Sequence, residues 1–472
     1  MTIEEVAVGS LAPEKFRTVM GDGDGSDFLR RVEAAAADLR GRCVWNVNST
    51  ARGGGVAEML RPLLAYTRGA GVDARWIVLG GNPEFFHVTK RLHNHLHGAP
   101  GDGGPLGDEE RAIYDEVQED NARELVELVR PGDIVIVHDP QPAGLCAHLK
   151  EAGATVVWRC HIGIDQPNDI TTGAWNFLRP YVSVADALVF SRRAFVWDQL
   201  DAEKVWIIAP SIDAFSAKNQ ALDEQAVYAI LDAAGIIGRE VDQPPLFLRE
   251  DGTPARVDRR AEIVEDGPVP PDVPTVVQIS RWDRLKDPLG VITGFATHVA
   301  PRSDAHLIYA GPAVDAVADD PEGAVVLEEA RSVWADLPAE ARARVHLVHL
   351  PMEDGEENAA IVNALQRYAT IVVQKSIAEG FGLTVAEAMW KARPVVATKV
   401  GGIQDQIVDG ESGVLIDDPS DLATYGNAVT RLLAEPDEAA RLGAAARQRV
   451  RENFLGSRHL LQYIDLIERL IR

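Results

Sequence analysis

The sequence predicts an α/β protein built from two doubly wound, Rossmann-like parallel sheets. Short apolar runs alternate with helical patterns along most of the 472 residues, and this alternation is typical of parallel strands joined by helices. The runs form two series of similar length, and a chain of this size is too long for one compact core. We therefore expect two domains that face a ligand-binding cleft.

The first series predicts an amino-terminal domain over residues 1–212. Its strands are short and apolar, as buried parallel strands are, and are predicted at 43–48, 74–79, 133–139, 155–161, 187–191 and 205–210. Helical patterns lie between them, among others at 56–69, 110–129 and 172–181.

The second series predicts a carboxyl-terminal domain over residues 213–456. Its strands are predicted at 275–280, 306–311, 345–350, 370–374, 394–398 and 413–416. The proline- and charge-rich stretch 243–274 precedes them and is predicted to be an exposed insertion. An amphipathic helix over 457–472 is expected to pack back on the first domain.

Composition narrows the class of protein. The net charge of −25 argues against a partner with a nucleic-acid backbone. Three cysteines, Cys43, Cys146 and Cys160, have no paired spacing and are predicted to be buried small hydrophobic residues. The first residues lack a basic region followed by an apolar one, and no apolar run could span a bilayer. We expect a cytoplasmic protein without a membrane partner.

The most informative stretch is EGFGLTVAEAMW, residues 379–390. It follows a predicted strand end and places Glu379 and Glu387 eight positions apart, around a turn that contains Gly380 and Gly382. The turn opens into a helix, whose free N–H groups and positive dipole end favour a phosphate group. A loop with solvated glutamates is the alternative for such a short motif taken alone.

Two cations follow another predicted strand, in the stretch ISRWDRLKDPLGVI. Arg281 and Lys286 are five positions apart in a polar loop. A guanidinium fork and a lysine ammonium are suited to a diphosphate. Two solvated surface cations are the alternative.

The first domain carries two further candidates. A glycine loop, Gly53, Gly54 and Gly55, joins the first strand to the first helix, and allows close backbone approach at a helix start. It lacks the spacing of the dinucleotide fingerprint, which disfavours an NAD-dependent dehydrogenase. His161 and Asp165 follow another strand end, where open α/β sheets bind ligands.

A histidine-rich stretch at 87–98 does not predict a metal site. His93, His95 and His97 alternate, which spreads them around a helix. No Asp-x-Asp pair lies at a strand end, where a divalent ion would hold a diphosphate.

Together these motifs resemble the retaining glycosyltransferases of family 4, which have the GT-B fold. At finer grain the chain resembles the trehalose-forming synthases of that family and the related trehalose phosphorylases, from about residue 45 onward. The strings that carry this resemblance are VIVHDPQPAGL, WRCHI with the following PN, APSIDAFSAKN, SRWDRLKDPLGVI and QKSIAEGFGLTVAEAMWKARPVVATKVGGIQDQI.

The resemblance implies transfer of glucose from a nucleoside-diphosphate-glucose to glucose, which gives trehalose with retained anomeric configuration. It implies that Arg281 and Lys286 bind the diphosphate, that Glu379 binds the donor glucose, and that His161 lies at the reacting centre. It makes the second domain the donor domain and the first the acceptor domain. The remaining donor residues would be Gly54, Gly55, Gly380, Phe381, Gly382, Leu383, Thr384 and, for the ribose, Glu387; the acceptor residues would be His138, Asp139, Gln141 and Asp165.

Fixed cations can stabilise a departing diphosphate without a metal. No metal cofactor is therefore expected to be required, and Mg²⁺ is expected at most to stimulate. No second carboxylate is placed as a nucleophile, which favours attack on the face of the leaving group over the two-carboxylate scheme of glycoside hydrolases.

Several alternatives stay open from the sequence. The donor base (UDP-, ADP- or GDP-glucose), a phosphorylase that uses phosphate, a non-catalytic sugar-nucleotide-binding protein and a homodimeric assembly are not decided. Two departures from the family are visible: the string His-Ile-Gly-Ile-Asp is longer than expected, which bears on Asp165, and the insertion at 243–274 is long.

Overall fold

The chain forms two compact units in the computed structural model, which describes residues 3–51, 54–239, 241–313 and 321–472. The first unit comprises Met1–Ser211 and Gly456–Arg472, and the second comprises Ile212–Leu455. Each unit contains one seven-stranded sheet within the described residues.

The sheet of the first unit has the strand order β1-β3-β2-β4-β5-β6-β7, and only its edge strand β1 is antiparallel to its neighbour. The strands are β1 (Glu4–Val6), β2 (Cys43–Asn48), β3 (Asp73–Val78), β4 (Ile134–His138), β5 (Thr155–Cys160), β6 (Ala187–Phe190) and β7 (Val205–Ile207). The α-helices are α1 (Arg17–Met20), α2 (Asp22–Asp38), α3 (Gly54–Gly69), α4 (Pro83–Leu96), α5 (Asp108–Leu128), α6 (Leu145–Glu151) and α7 (Asp169–Val182).

The sheet of the second unit has the order β10-β13-β12-β11-β14-β15-β16, again with one antiparallel edge strand, β10. The strands of this unit are β8 (Leu246–Leu248), β9 (Pro254–Arg256), β10 (Glu262–Val264), β11 (Thr275–Ile279), β12 (His306–Pro312), β13 (Val345–Leu350), β14 (Ile371–Gln374), β15 (Val395–Thr398) and β16 (Val414–Ile416). Its α-helices are α8 (Glu224–Ala233), α9 (Pro288–Gly294), α10 (Pro321–Ala335), α11 (Ala339–Arg342), α12 (Gly355–Tyr368), α13 (Leu383–Trp390), α14 (Ile403–Gln406), α15 (Leu422–Ala434) and α16 (Pro436–Asn453).

The last helix, α17 (Gly456–Ile471), belongs to the first unit. Leu466 and Ile467 on this helix pack into the apolar layer formed by Val44, Ile136 and Val157 of the sheet. The other face of that sheet carries a larger core that includes Trp45 and Trp158. Both faces are thus covered, which explains why the strands read as continuous apolar runs.

The predicted fold class is confirmed, and the twelve predicted strands are present with boundary shifts of a few residues. The three cysteines are buried and free, as predicted. The antiparallel edge strands β1 and β10 were not predicted, because three-residue strands leave too short a pattern to recognise.

Most residues of the stretch 243–274 are exposed, as predicted, but the stretch also contains regular structure. It contains the hairpin of β8 and β9 and the edge strand β10. Arg249 donates to Glu356 at 2.9 Å, and the backbone N–H groups of Asp258 and Arg259 both donate to Glu357 at 2.7 Å. These contacts attach the exposed stretch to the start of α12, which its composition did not predict.

Candidate active site

Each sheet has a point where the strand connections reverse direction, and ligands of open α/β sheets bind at the carboxyl ends of the strands beside that point. In the first unit β2 lies between β3 and β4, and in the second β11 lies between β12 and β14. The predicted residues follow these strands. Arg281 and Lys286 follow β11, Glu379 follows β14, and His138 ends β4.

In the second unit, Lys286 and Glu379 are in direct contact. Lys286 Nζ donates to Glu379 Oε2 at 2.6 Å, and the two side chains are 16% and 13% exposed. Arg281 is 59% exposed and donates to Asp283 Oδ2 at 3.1 Å. Arg281 thus faces solvent, whereas Lys286 is largely buried beside Glu379, so the alternative of two solvated surface cations does not describe Lys286.

Two buried glutamines connect the loops that carry these residues. Gln278 donates to the carbonyl of Lys286 at 2.8 Å and accepts from the backbone N–H of Lys375 at 3.0 Å. Gln374 donates to Ser376 Oγ at 3.0 Å, and Ser376 Oγ lies 3.5 Å from Glu379 Oε2. Both loops are thus tied to neighbouring strands, which sets where the cation and the carboxylate meet.

A buried ion pair lies beneath the same loop. Asp287, directly after Lys286, has a left-handed backbone with φ 49° and caps α9 by accepting from the N–H of Gly290 at 3.0 Å. Its carboxylate also pairs with Lys375, whose side chain is 2% exposed. Four residues of this region were not predicted, although polar residues at the ends of apolar strands are a usable signal: Gln278, Gln374, Lys375 and Asp287.

The glycine turn predicted from EGFG starts α13. Gly382 has φ 85°, a conformation that favours glycine, and directly precedes Leu383 and Thr384 in the helix. Gln406 donates to the carbonyl of Phe381. A Cβ on Gly401 would lie 1.6 Å from the carbonyl oxygen of Glu379, so this second glycine permits close packing of the Glu379 loop.

Glu387, the second carboxylate of the motif, lies inside the second unit. It is 1% exposed, and its Oε1 is 3.7 Å from Lys218 Nζ. Its role toward a ribose stays a prediction, and Lys218 is a cation that the sequence analysis did not consider.

In the first unit, Gly54 and Gly55 are exposed at the start of α3, and Gly54 has φ 77°. The third member of the predicted glycine loop, Gly53, lies outside the described residues. The two described glycines follow β2, next to the reversal point of that sheet.

A chain of buried polar side chains lies at the same edge. His161 Nε2 is 3.0 Å from His138 Nδ1, and His138 Nε2 is 2.9 Å from Asn46 Oδ1. Asp139 has a left-handed φ of 65°, and its Oδ1 accepts from the backbone N–H of His161 at 2.7 Å. The structure thus brings His138, Asp139 and His161 together, and adds Asn46, which the sequence analysis missed.

Burial controls the charge of this cluster. Burial, followed by the nearby Arg159 guanidinium, lowers the pKa of His138 to about 3. The same causes hold the pKa of His161 well below its usual range. Burial raises the pKa of Asp139 to about 7, against the opposing effect of the hydrogen bond from His161. Both imidazoles are therefore neutral near pH 7.

The other two predicted acceptor residues have structural contacts. The carbonyl of Gln141 accepts from Gln118 Nε2 at 2.6 Å, and Asp165 forms an ion pair with Arg192. Arg192 is 10% exposed, so Asp165 balances a nearly buried cation. Any contact of Gln141 or Asp165 with an acceptor sugar stays a prediction.

Two Rossmann-like units with these motifs define a glycosyltransferase of the GT-B fold. Residues 46–197 match the family model described as trehalose synthase, N-terminal domain, and residues 259–449 match that of glycosyl transferases group 1. A trehalose synthase of Pyrococcus horikoshii is 34% identical over 469 residues, 99% of each chain. The chain belongs to the trehalose synthase family of glycosyltransferases.

More distant relatives agree with this fold. A trehalose phosphorylase of Grifola frondosa is 25% identical over 93% of this chain and 58% of its own length. The solved structure of an α,α-trehalose 6-phosphate synthase from Burkholderia multivorans superposes with a TM-score of 0.63 at 16% identity, and covers 91% of this chain and 98% of that one.

A helix needs about 20 predominantly apolar residues to cross a bilayer. In the part of the chain that the structure describes, none combines sufficient length with sufficient apolar character to cross a membrane.

Proposed function

We propose that this protein transfers glucose from a nucleoside-diphosphate-glucose to glucose and forms trehalose with retention of the anomeric configuration. The observation that carries the proposal is the contact of Lys286 with Glu379 at the reversal point of the second sheet, at 2.6 Å. This contact supports the proposal, because a phosphate and the sugar attached to it would need a cation and a carboxylate side by side.

The charges support the roles of these residues. A departing diphosphate gains negative charge, and preorganised cations stabilise that charge without reorganisation. Lys286 is held by its contact with Glu379, while Arg281 is 59% exposed and follows the same strand, so both cations are available to one phosphate group. Glu379, an acceptor-only group when ionised, binds hydroxyl groups of the donor glucose.

Retention is what the resemblance to the retaining glycosyltransferases implies, and a front-face reaction would achieve it. Glu379 contacts Lys286 and is assigned to hydroxyl groups of the donor glucose, not to nucleophilic attack. A front-face reaction needs no carboxylate nucleophile, because the acceptor hydroxyl attacks beside the departing phosphate and gives it its proton.

The experiment is direct. The protein is incubated with glucose and UDP-, ADP- or GDP-glucose in turn, and the product is identified by NMR, which reports linkage and anomeric configuration. An α,α-linked disaccharide from at least one donor is expected. A second arm supplies trehalose and phosphate, and a third replaces glucose with glucose 6-phosphate.

The arms separate the alternatives. Formation of glucose 1-phosphate in the second arm would make the protein a phosphorylase, the activity named for relatives such as the 25% identical protein of Grifola frondosa. Product formed only in the third arm would identify glucose 6-phosphate, and not glucose, as the acceptor. No transfer from any donor, with tight nucleotide binding, would indicate a sugar-nucleotide-binding protein.

A further inference from the structure

The string APSIDAFSAKN, residues 209–219, carries part of the family resemblance, and none of its residues is assigned a function by it. From Ile212 onward the string belongs to the second unit. Its Lys218 lies close to Glu387 of the EGFGLTVAEAMW motif, with 3.7 Å between Lys218 Nζ and Glu387 Oε1. The side chain of Lys218 is 19% exposed, so a ligand can reach this cation.

Hydrogen bonds on both sides of Lys218 hold its backbone against α12. Asn363 Nδ2 donates to the carbonyls of Ala217 and Gln220, in both cases at 3.0 Å. Asn363 is 0% exposed, and Arg367 of the same helix also donates to the carbonyl of Gln220, at 2.8 Å. The residues that flank Lys218 are therefore fixed to a helix of their own unit.

Asn219 attaches the same segment to α13. Lys391, directly after that helix, donates from Nζ to Asn219 Oδ1 at 2.9 Å and to Gln366 Oε1 at 2.7 Å. Trp390 Nε1 donates to the carbonyl of Asn219 at 3.3 Å. Lys391 is 5% exposed, and buried polar networks of this kind restrict the positions of their members. The backbone thus presents the Lys218 side chain beside Glu387 from a defined position.

The chemistry of Lys218 and Glu387 suits a hydroxyl group. An ionised carboxylate only accepts hydrogen bonds and an ammonium group only donates them, whereas a hydroxyl group does both. Two atoms that are 3.7 Å apart can each lie at a hydrogen-bonding distance of about 2.8 Å from one hydroxyl oxygen. Glu387 is 1% exposed, and a buried carboxylate is stabilised by a cation beside it.

We propose that Lys218 is a further nucleotide-binding residue, which donates a hydrogen bond to a ribose hydroxyl group of the donor while Glu387 accepts one from the same group. The inference rests on the proposed function, because that function supplies the nucleotide and the role of Glu387 toward its ribose. The role of Lys218 differs from the roles of Arg281 and Lys286, which are assigned to the diphosphate.

The first test is the affinity for UDP, ADP and GDP, measured by calorimetry. Lys218→Met removes the ammonium group from an unbranched side chain and should lower the affinity by about 10- to 100-fold, the scale of one hydrogen bond to a charged group. Lys218→Arg keeps a cationic donor and should recover part of the loss. Arg431→Met is the matched control, because Arg431 pairs with Glu438 elsewhere in the same unit, and it should bind nucleotide normally. Lys218→Ala takes the place of Lys218→Met if a melting curve shows the latter to be unfolded.

The second test uses the 2′,3′-dideoxy form of the nucleoside diphosphate that binds most tightly. This form lacks the ribose hydroxyl groups, so Lys218→Met and the unmodified protein should bind it with affinities within about 3-fold of each other. A loss of affinity in Lys218→Met that is equally large for the dideoxy form would overturn the inference, because it would show an effect on charge or packing without a contact to the ribose.

The outcomes distinguish this inference from the proposed function. If the unmodified protein binds a nucleoside diphosphate and Lys218→Met binds it equally well, the role of Lys218 alone is refuted. If no nucleoside diphosphate binds to the unmodified protein, the inference and the proposed function are both refuted. Where glucose transfer is observed, Lys218→Met should raise the KM for the donor by at least about 10-fold and change kcat by less than about 3-fold, because a ribose contact is present both before and during the reaction. A loss of kcat with an unchanged KM would overturn the inference.

Discussion

Replacement of Lys286 by alanine is the most direct test of the proposed reaction. In the structure its ammonium is 2.6 Å from the Glu379 carboxylate and 16% exposed, so its charge is only partly screened by water. A diphosphate oxygen at a charge separation of about 4 Å, with an effective dielectric constant of about 20, would gain about 4 kcal/mol from such a cation. Part of that energy is already present with bound substrate, so we expect turnover to fall by about 100- to 1000-fold.

The assay is the steady-state rate of nucleoside diphosphate release with glucose and the preferred donor. Arg284→Ala is the matched control, because Arg284 lies two residues away in the same turn but pairs with Glu329 at 2.7 Å. It should keep near-normal turnover. If Lys286→Ala keeps turnover within about 5-fold of the unmodified protein, or if Arg284→Ala is equally impaired, Lys286 is not the charge stabiliser. Thermal melting of both variants detects loss of the fold.

The remaining predictions concern the other charged groups. Arg281→Ala should lower turnover by at least about 100-fold without a change in Tm, because Arg281 is 59% exposed; a normal rate would remove it from the reaction. Calorimetry should show that Glu379→Gln binds free nucleoside diphosphate with little change in affinity, whereas Glu387→Ala binds it more weakly. Equal losses of affinity in the two variants would contradict the assigned roles. Turnover should persist in EDTA. A complete loss of turnover that Mg²⁺ restores would show that Arg281 and Lys286 alone do not stabilise the departing diphosphate. Burial lowers the pKa of His138 to about 3, and it lowers the pKa of His161 and of His459 well below the usual range. Between about pH 3 and 6.5 the unfolded state therefore binds more protons at these histidines than the folded state does. The free energy of unfolding should rise with pH in that window. His459→Gln should reduce this slope by up to about 1.4 kcal/mol per pH unit, and an identical slope in denaturant unfolding would refute the assignment.

The site shows where sequence patterns stop being informative. Glu379 was recognised because it follows a predicted strand end and precedes a glycine turn that opens into a helix, and Lys286 because it follows a strand end. Lys375 and Asp287 were not recognised, since each looks like a solvated surface charge until the loops of β11 and β14 are brought together. Their ion pair depends on strand neighbours separated by about ninety residues in the chain.

The sequence by itself determined the fold class, the two series of strands and the edges of the sheets where the site residues lie. These follow from apolar periodicity and from glycines at turns, which are local properties of the chain. Tertiary structure alone decided that Lys286 is covered by Glu379, that His138 uses both ring nitrogens within its own unit, and that Asn46 ends that chain of hydrogen bonds. The physical reason is that pairing, burial and tautomer depend on which strands are neighbours in the sheet, and strand order is not encoded in the local pattern of any one strand.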